Sequence, residues 1–238
     1  MIKIHFITPF KDMVHAVIGE SILKIAEKKK LTQYFVHDLF EYADPPHYRI
    51  DDYPFGGGAG MVMKPEPLFR IFDEILDDGI SGKQTRVIFP TPDGKTLNQE
   101  MSDELSKCEQ LIFINGHYKG IDQRVRDNLV TDEISIGDYV LTGGELPALI
   151  IADTVIRRIP GVINTFESAE TDSFSGNLLD HPHFTRPEKY RGMTTPEILL
   201  SGHHRKIAEW KLAKQVEKTK IRRPDLYKKY LDLTKTEK

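Results

Sequence analysis

Short apolar runs of strand length alternate with stretches whose apolar residues recur every three or four positions over the first two-thirds of the chain. Ile2–Thr8 and residues 34–40, 86–91 and 110–115 are the strand-like runs, and in residues 131–136 β-branched residues alternate with polar ones. Residues 14–30 set Val14, Val17, Ile18, Ile22 and Ile25 on one helical face. Residues 65–76 do the same with Leu68, Phe69, Phe72 and Ile75, and residues 98–107 and 146–158 also read as helices. Strands separated by helices predict an α/β fold, a mainly parallel sheet flanked on both faces by helices.

The pattern stops at residues 161–176, where Thr, Ser, Asn, Glu and Asp dominate, as expected of an exposed connector. Beyond it Pro182, Pro187 and Pro196 punctuate a loop region. A helix over residues 204–218 follows, with Ile207, Trp210 and Ala213 on one side, and a last helix follows Pro224 with Leu226, Tyr230 and Leu233 along it. The chain is therefore expected to divide into a sheet domain at residues 1–160, a connector at 161–176 and a small helical domain at 177–238.

Composition narrows the class. With 39% hydrophobic and 29% charged residues over 238 positions, the chain fits a globular protein rather than a disordered one. Cys108 is the single cysteine, which excludes a disulfide scaffold and cysteine-based zinc sites. His5 interrupts an N-terminal apolar run too short for a signal peptide, and no later stretch has the length to span a bilayer. A cytoplasmic protein is expected. The net charge of −3 hides an asymmetry: from Ser201 to Lys238 there are 12 Lys and Arg against 5 Asp and Glu, while the preceding 200 residues hold 21 against 31. A basic end of this kind either binds a polyanion or is a solvated surface.

The run from Ile134 to Pro147 concentrates the candidate chemistry. Gly137 breaks the predicted strand, Gly143-Gly144 lets backbone approach something closely, and Glu145 and Pro147 suit the first turn of a helix. Such a junction grips a small ligand with backbone groups or is simply a tight strand-to-helix turn. Gly56–Gly60 is no phosphate loop, because no Gly-Lys-Ser/Thr follows; small residues there suit close packing at a pocket or subunit contact. The His181/His183 and His203/His204 pairs lack an accompanying cysteine or ligating triad, and are read as structuring loops and meeting RNA rather than as zinc ligands.

Six further blocks stand with that run: Gly56-Gly57-Gly58-Ala59-Gly60-Met61-Val62-Met63, Asn115-Gly116-His117-Tyr118-Lys119-Gly120-Ile121-Asp122, Arg158-Ile159-Pro160-Gly161-Val162, Thr171-Asp172-Ser173-Phe174, Leu179-Asp180-His181-Pro182-His183-Phe184-Thr185-Arg186-Pro187 and Leu199-Leu200-Ser201-Gly202-His203-His204. In this order, over nearly the whole chain, they resemble the bacterial tRNA (guanine-N1)-methyltransferases of the SPOUT group. The resemblance implies a trefoil knot on the C-terminal side of the sheet domain, which periodicity does not reveal. It implies S-adenosylmethionine as methyl donor and tRNA as partner, gripped by the basic tail. Methylation would fall on guanine N1 at the position 3′-adjacent to the anticodon.

By the same resemblance Asp172 is the general base and Arg157 the group that stabilises developing charge. Taken alone, Asp172 is one acid among 36, and Arg157 suits a helix C-terminus. The cofactor residues carried over are Pro90, Gly116, Ile136, Gly137, Asp138, Tyr139, Val140 and Leu141, bordered by Gly143, Gly144 and Pro147. Pro90 replaces a usual leucine but keeps its carbonyl. Lys119 replaces the family's glutamate, where a cation opposes Mg²⁺; Asp51 or Asp52 could keep an acidic role. The group works as a homodimer, with the cofactor loop and Arg157 expected from one chain and Asp172 from the other. The alternatives are a ribose 2′-O-methyltransferase of the same fold and a non-catalytic RNA-binding relative, the latter suggested by Lys119.

Overall fold

The computed structural model describes residues 1–77, 84–163 and 172–236 and divides the chain into two compact units, Met1–Asn164 and Thr165–Lys238. Within the expected connector at 161–176, residues 164–171 lie outside the described set.

The first unit is built on five parallel strands: β1 (Ile2–Thr8), β2 (Thr32–Asp38), β5 (Thr85–Thr96), β6 (Gln110–Ile114) and β7 (Asp132–Ser135), in the order β2-β1-β6-β5-β7. The two-residue strands β3 (Asp51–Asp52) and β4 (Val62–Met63) pair antiparallel apart from this sheet. Its helices are α1 (Lys11–Ile18), α2 (Ser21–Lys28), α3 (Pro65–Asp77), α4 (Gln99–Leu105), α5 (Gln123–Leu129) and α6 (Glu145–Ile156).

The inner strands β1, β5 and β6 feed two cores because successive side chains point to opposite faces. In β6, Leu111 and Phe113 pack with residues of α1, α2, α4 and α6, while Ile112 and Ile114 pack with residues of α3 and α5. Both sets are buried, so β6 reads as an unbroken apolar run, as parallel strands covered on both faces do. Each fully buried Ile, Leu or Phe contributes about 1.5–3 kcal/mol.

Three elements depart from the sequence reading. The helix expected at 14–30 is two helices, α1 and α2. Gly19 caps the first by donating to His15 O at 3.0 Å, Glu20 is extended, and Ser21 has φ 51°; both halves then pack on α6. The strand expected at 86–91 continues to Thr96, because its pairing with β7 shifts register between Pro90 and Lys95. The shift needs Gly94: a Cβ there would stand 2.5 Å from the Glu133–Ile134 peptide. It also accommodates Pro90, which lies beyond the last β5–β6 pair at Ile88, where its missing N–H breaks no ladder to β6. Helix α5 lacks a periodic signal, since among its residues only Val125 is buried; the Asp122 carboxylate caps it by accepting the Arg124 N–H at 2.9 Å.

The second unit holds a short hairpin of β8 (Lys189–Tyr190) and β9 (Met193–Thr194), a turn of helix α7 (Glu197–Leu200), and two longer helices, α8 (His204–Arg222) and α9 (Pro224–Thr236). Its buried seam is thin. Leu178, Thr219 and Leu226 are buried, and the Thr219 hydroxyl accepts the Leu179 N–H at 2.8 Å. No helix among the described residues is long and apolar enough to cross a membrane.

Candidate active site

A cavity of about 300 Å³ opens in the first unit where β5, β6 and β7 end. Crevices beyond the C-terminal ends of parallel strands are where α/β sheets place ligands. Pro90 comes from the end of β5, Gly116 from the turn after β6, and Ile136, Gly137, Tyr139, Val140 and Leu141 from the loop after β7; Gly143, Gly144 and Pro147 lead into α6. Ten of the eleven residues carried over for the cofactor thus line one cavity. Asp138 lies on the same loop but is outside the lining.

Glycine makes this convergence possible by close approach. The Gly144 N–H donates to Gly116 O at 2.8 Å, and a Cβ on Gly144 would stand 2.7 Å from Asn115 Cα and Gly116 N. A Cβ on Gly116 would meet the Phe89 ring at 2.7 Å. The neighbour of Gly144 is therefore backbone, which settles why this position is bare. Gly137, at φ 143°, is held by the Ser135 hydroxyl, which accepts its N–H at 3.2 Å. The Tyr139 hydroxyl donates back to Ile136 O at 3.2 Å, while Val140, 81% exposed, offers an apolar edge to the cavity mouth.

In the sequence Glu145 reads only as a helix opener, yet its carboxylate is buried at 1% exposure behind the cavity wall. It accepts the Thr8 hydroxyl at 2.7 Å and the His117 Nε2–H at 2.7–2.9 Å. A buried carboxylate requires such partners, and the α6 N-terminus adds a favourable dipole. The network ties the end of β1 to the turn after β6 and the start of α6. The signal in the sequence is a charge following Gly143-Gly144 at the head of a helix whose next seven residues are all apolar.

Lys119 lines the same cavity. Its N–H donates to Met61 O at 3.0 Å, and its stem runs beside Gly60, where a Cβ would come within 3.0 Å of Lys119 Cγ. Between the two acidic candidates, Asp51 stands against a lining residue: burial and the neighbouring Asp51 carboxylate raise the Tyr118 hydroxyl above its usual pKa. Asp52 instead accepts the N–H of Tyr53 at 2.8 Å.

Of the proposed catalytic pair, Arg157 is not at this cavity. Arg157 caps the C-terminus of α6, half-buried, about 20 Å along the helix axis from Gly144 at 1.5 Å per residue. It is absent from the lining, so within one chain the cofactor loop and Arg157 are not brought together. Arg158 has a separate structural partner in Asp103 of α4, at 2.5 Å. Asp172 belongs to the second unit, half-buried in a bend before the 3₁₀ turn Ser175–Asn177.

The profile of the tRNA (Guanine-1)-methyltransferase TrmD family matches residues 2–229. The chain is 52% identical over 228 residues to the tRNA (guanine-N(1)-)-methyltransferase of Shouchella clausii, covering 96% of this chain and 92% of that protein. It is 50% identical to the protein of the same name from Bacillus subtilis, over 95% and 92% of the two chains. Against the one from Azobacteroides pseudotrichonymphae it is 48% identical, over 94% of this chain and 100% of the other. With similarity this high running through both units, the chain belongs to the tRNA (guanine-1)-methyltransferase TrmD family.

Proposed function

We propose that this chain transfers the methyl group of S-adenosylmethionine to N1 of guanine in tRNA, at the nucleotide 3′-adjacent to the anticodon. The observation that carries the reading is the convergence of the glycine loop, three strand ends and the α6 N-terminus on one cavity. The residues present suit this cofactor. Gly116, Gly137, Gly143 and Gly144 expose backbone, and Val140, Leu141 and Pro147 provide apolar walls for an adenine. The side-chain amide of Asn115, fully buried beside Gly116, has no hydrogen-bond partner, a state that ligand or water ordinarily resolves.

When bound, the cofactor supplies a methyl carbon already made electrophilic by its sulfonium. The protein's work is to align guanine N1 with that carbon and to remove the N1 proton. Asp172 accepts the proton, and Arg157 holds the negative charge that develops on O6. The Glu145 network keeps the loop 143–147 in place without touching substrate. Lys119 supplies fixed positive charge where the family carries glutamate, so Mg²⁺ is not needed at this position.

The length of α6 supports a homodimer. Leu146 and Ile150, 46% and 45% exposed, form an apolar stripe on a helix whose other side already fills the core. Two copies joined along this stripe with antiparallel α6 helices set the Arg157 end of one beside the pocket end of the other. Arg157 therefore serves the pocket of the opposite protomer rather than its own. Membership of the family supports a SPOUT trefoil knot on the C-terminal side of the first unit. The basic second unit, residues 177–238 after the connector, grips tRNA phosphates while the target base is drawn from its stack. Such a substrate places the enzyme in the cytoplasm.

Labelled S-adenosylmethionine and unmodified tRNA, followed by nucleoside analysis, test the reading. Label in 1-methylguanosine is expected. Label on ribose, or tRNA binding with no transfer, overturns it.

A further inference from the structure

The His181/His183 pair gains a third member in the folded chain. Asp180, His181 and His183 place one ligand atom each within 4.8 Å of one another. Asp180 Oδ2 lies 2.6 Å from His183 Nε2, and Asp180 Oδ1 lies 3.8 Å from His181 Nε2. We propose that Asp180, His181 and His183 form a binding site for a divalent transition-metal ion of the zinc class within the second unit.

Three features distinguish this cluster from a simple Asp–His hydrogen bond. The first is the state of His181. Its Nδ1–H donates to Pro182 O at 3.1 Å, which leaves the Nε2 lone pair turned to the Asp180 side. A carbonyl on the far nitrogen is the usual way a protein sets the tautomer of a metal-binding histidine. The ring is further steadied edge-on by Trp210 of α8.

The second is anchoring of Asp180, whose Oδ1 accepts the His181 N–H at 2.7 Å and whose main chain is held on both sides. The Asp180 N–H donates to Ser173 Oγ at 3.0 Å, and Asp180 O accepts from Lys218 Nζ of α8 at 2.8 Å. Asp180 and His181 are thus held before any ion arrives, while the exposed His183 is free to adjust. The third is crowding: the two imidazole rings stand 4.3 Å apart at 40° against a single carboxylate. A cation at about 2.0–2.2 Å from each ligand atom asks for small adjustments in the two Asp–His separations of 2.6 and 3.8 Å.

Two imidazoles and one carboxylate select zinc, cobalt or nickel over magnesium and calcium, which prefer all-oxygen shells. Three protein ligands leave a fourth position for water on the exposed His183 side. Because Asp180 is tied to Ser173, an ion here fixes the segment that directly follows Asp172.

The test uses the untagged full-length protein, stripped of metal with a chelator and titrated with Co²⁺. One equivalent per chain is expected, with visible absorption of low-symmetry Co²⁺ that Zn²⁺ quenches and excess Mg²⁺ does not. His181→Gln and Asp180→Asn should weaken binding by more than the roughly 10–100-fold that loss of an outer-shell partner costs. A His203→Gln/His204→Gln double variant should bind as the native chain does. No Co²⁺ spectrum in the native protein overturns the proposal, as does an unchanged spectrum in a His181→Gln variant whose circular dichroism is native. Loss confined to the His203/His204 variant would move the site elsewhere and overturn it equally.

Discussion

The sheet-end pocket and the basic helical tail use opposite means of binding. The pocket is shaped by absence: at Gly144 and Gly116, a Cβ would strike backbone or a buried ring. Its one buried charge, Glu145, is satisfied internally by Thr8 and His117. The tail is shaped by abundance, with a thin buried seam and ion pairs such as Arg205–Glu209 and Lys214–Glu217 on its surface. Exposed pairs of this kind contribute little to stability. Single substitutions should therefore be severe in the pocket and graded in the tail, where charges add.

The sharpest division concerns Asp172, which is in the tail's unit but assigned to chemistry. Asp172→Ala should lower turnover by about 10²–10⁴ while S-adenosylmethionine binding, read by calorimetry, stays near native. Turnover close to native would remove Asp172 from the mechanism.

Gly144→Val comes next. The added atoms meet the Asn115–Gly116 backbone, so the variant should lose about 1–3 kcal/mol or more of stability and bind no cofactor. Native thermal unfolding together with native affinity would show that the loop tolerates bulk. Glu145→Gln keeps the shape but removes the charge that receives His117 and Thr8. A stability loss of about 1–3 kcal/mol is expected in urea unfolding. If it is silent, the network is incidental to the pocket.

In the tail, Lys211→Glu, Lys228→Glu and Lys229→Glu replace solvent-facing cations of α8 and α9 and should leave unfolding untouched. Together they should weaken tRNA binding, and make it less salt-dependent by about 0.7–0.9 in log–log slope for each phosphate no longer neutralised. An unaltered slope would make the tail a solvated surface only. The smallest effect is expected at Lys119. Chelator should slow Lys119→Glu more than the native enzyme, by a difference of a few-fold, because a carboxylate there invites the metal that lysine repels. Complete loss in both would place Mg²⁺ elsewhere.

Much of the first unit is legible because strand and helix periods are local properties. The runs at β1 and β6, the helical face of Leu68, Phe72 and Ile75, and the glycine loop before α6 are visible in neighbouring residues alone. Short capped segments are less so. The break at Gly19 interrupts an otherwise sustained pattern, and α5 depends on a cap at Asp122 rather than on an apolar face.

By itself the sequence determined the parallel α/β class, the sites of the bare turns, the basic end and the membership that its blocks announce. Each depends on residue type and spacing along a few turns of chain. Tertiary structure alone decided that Glu145 meets Thr8 across 137 residues of sequence, and that Asp51 rather than Asp52 stands beside Tyr118. It also decided that Arg157 ends α6 far from the pocket of its own chain, and that Asp180 completes a cluster with His181 and His183. The physical reason is common to all four. A side chain's partners are set by how strands register, how long a helix runs and which way a loop turns, and none of these has a period that a reader of residues can see.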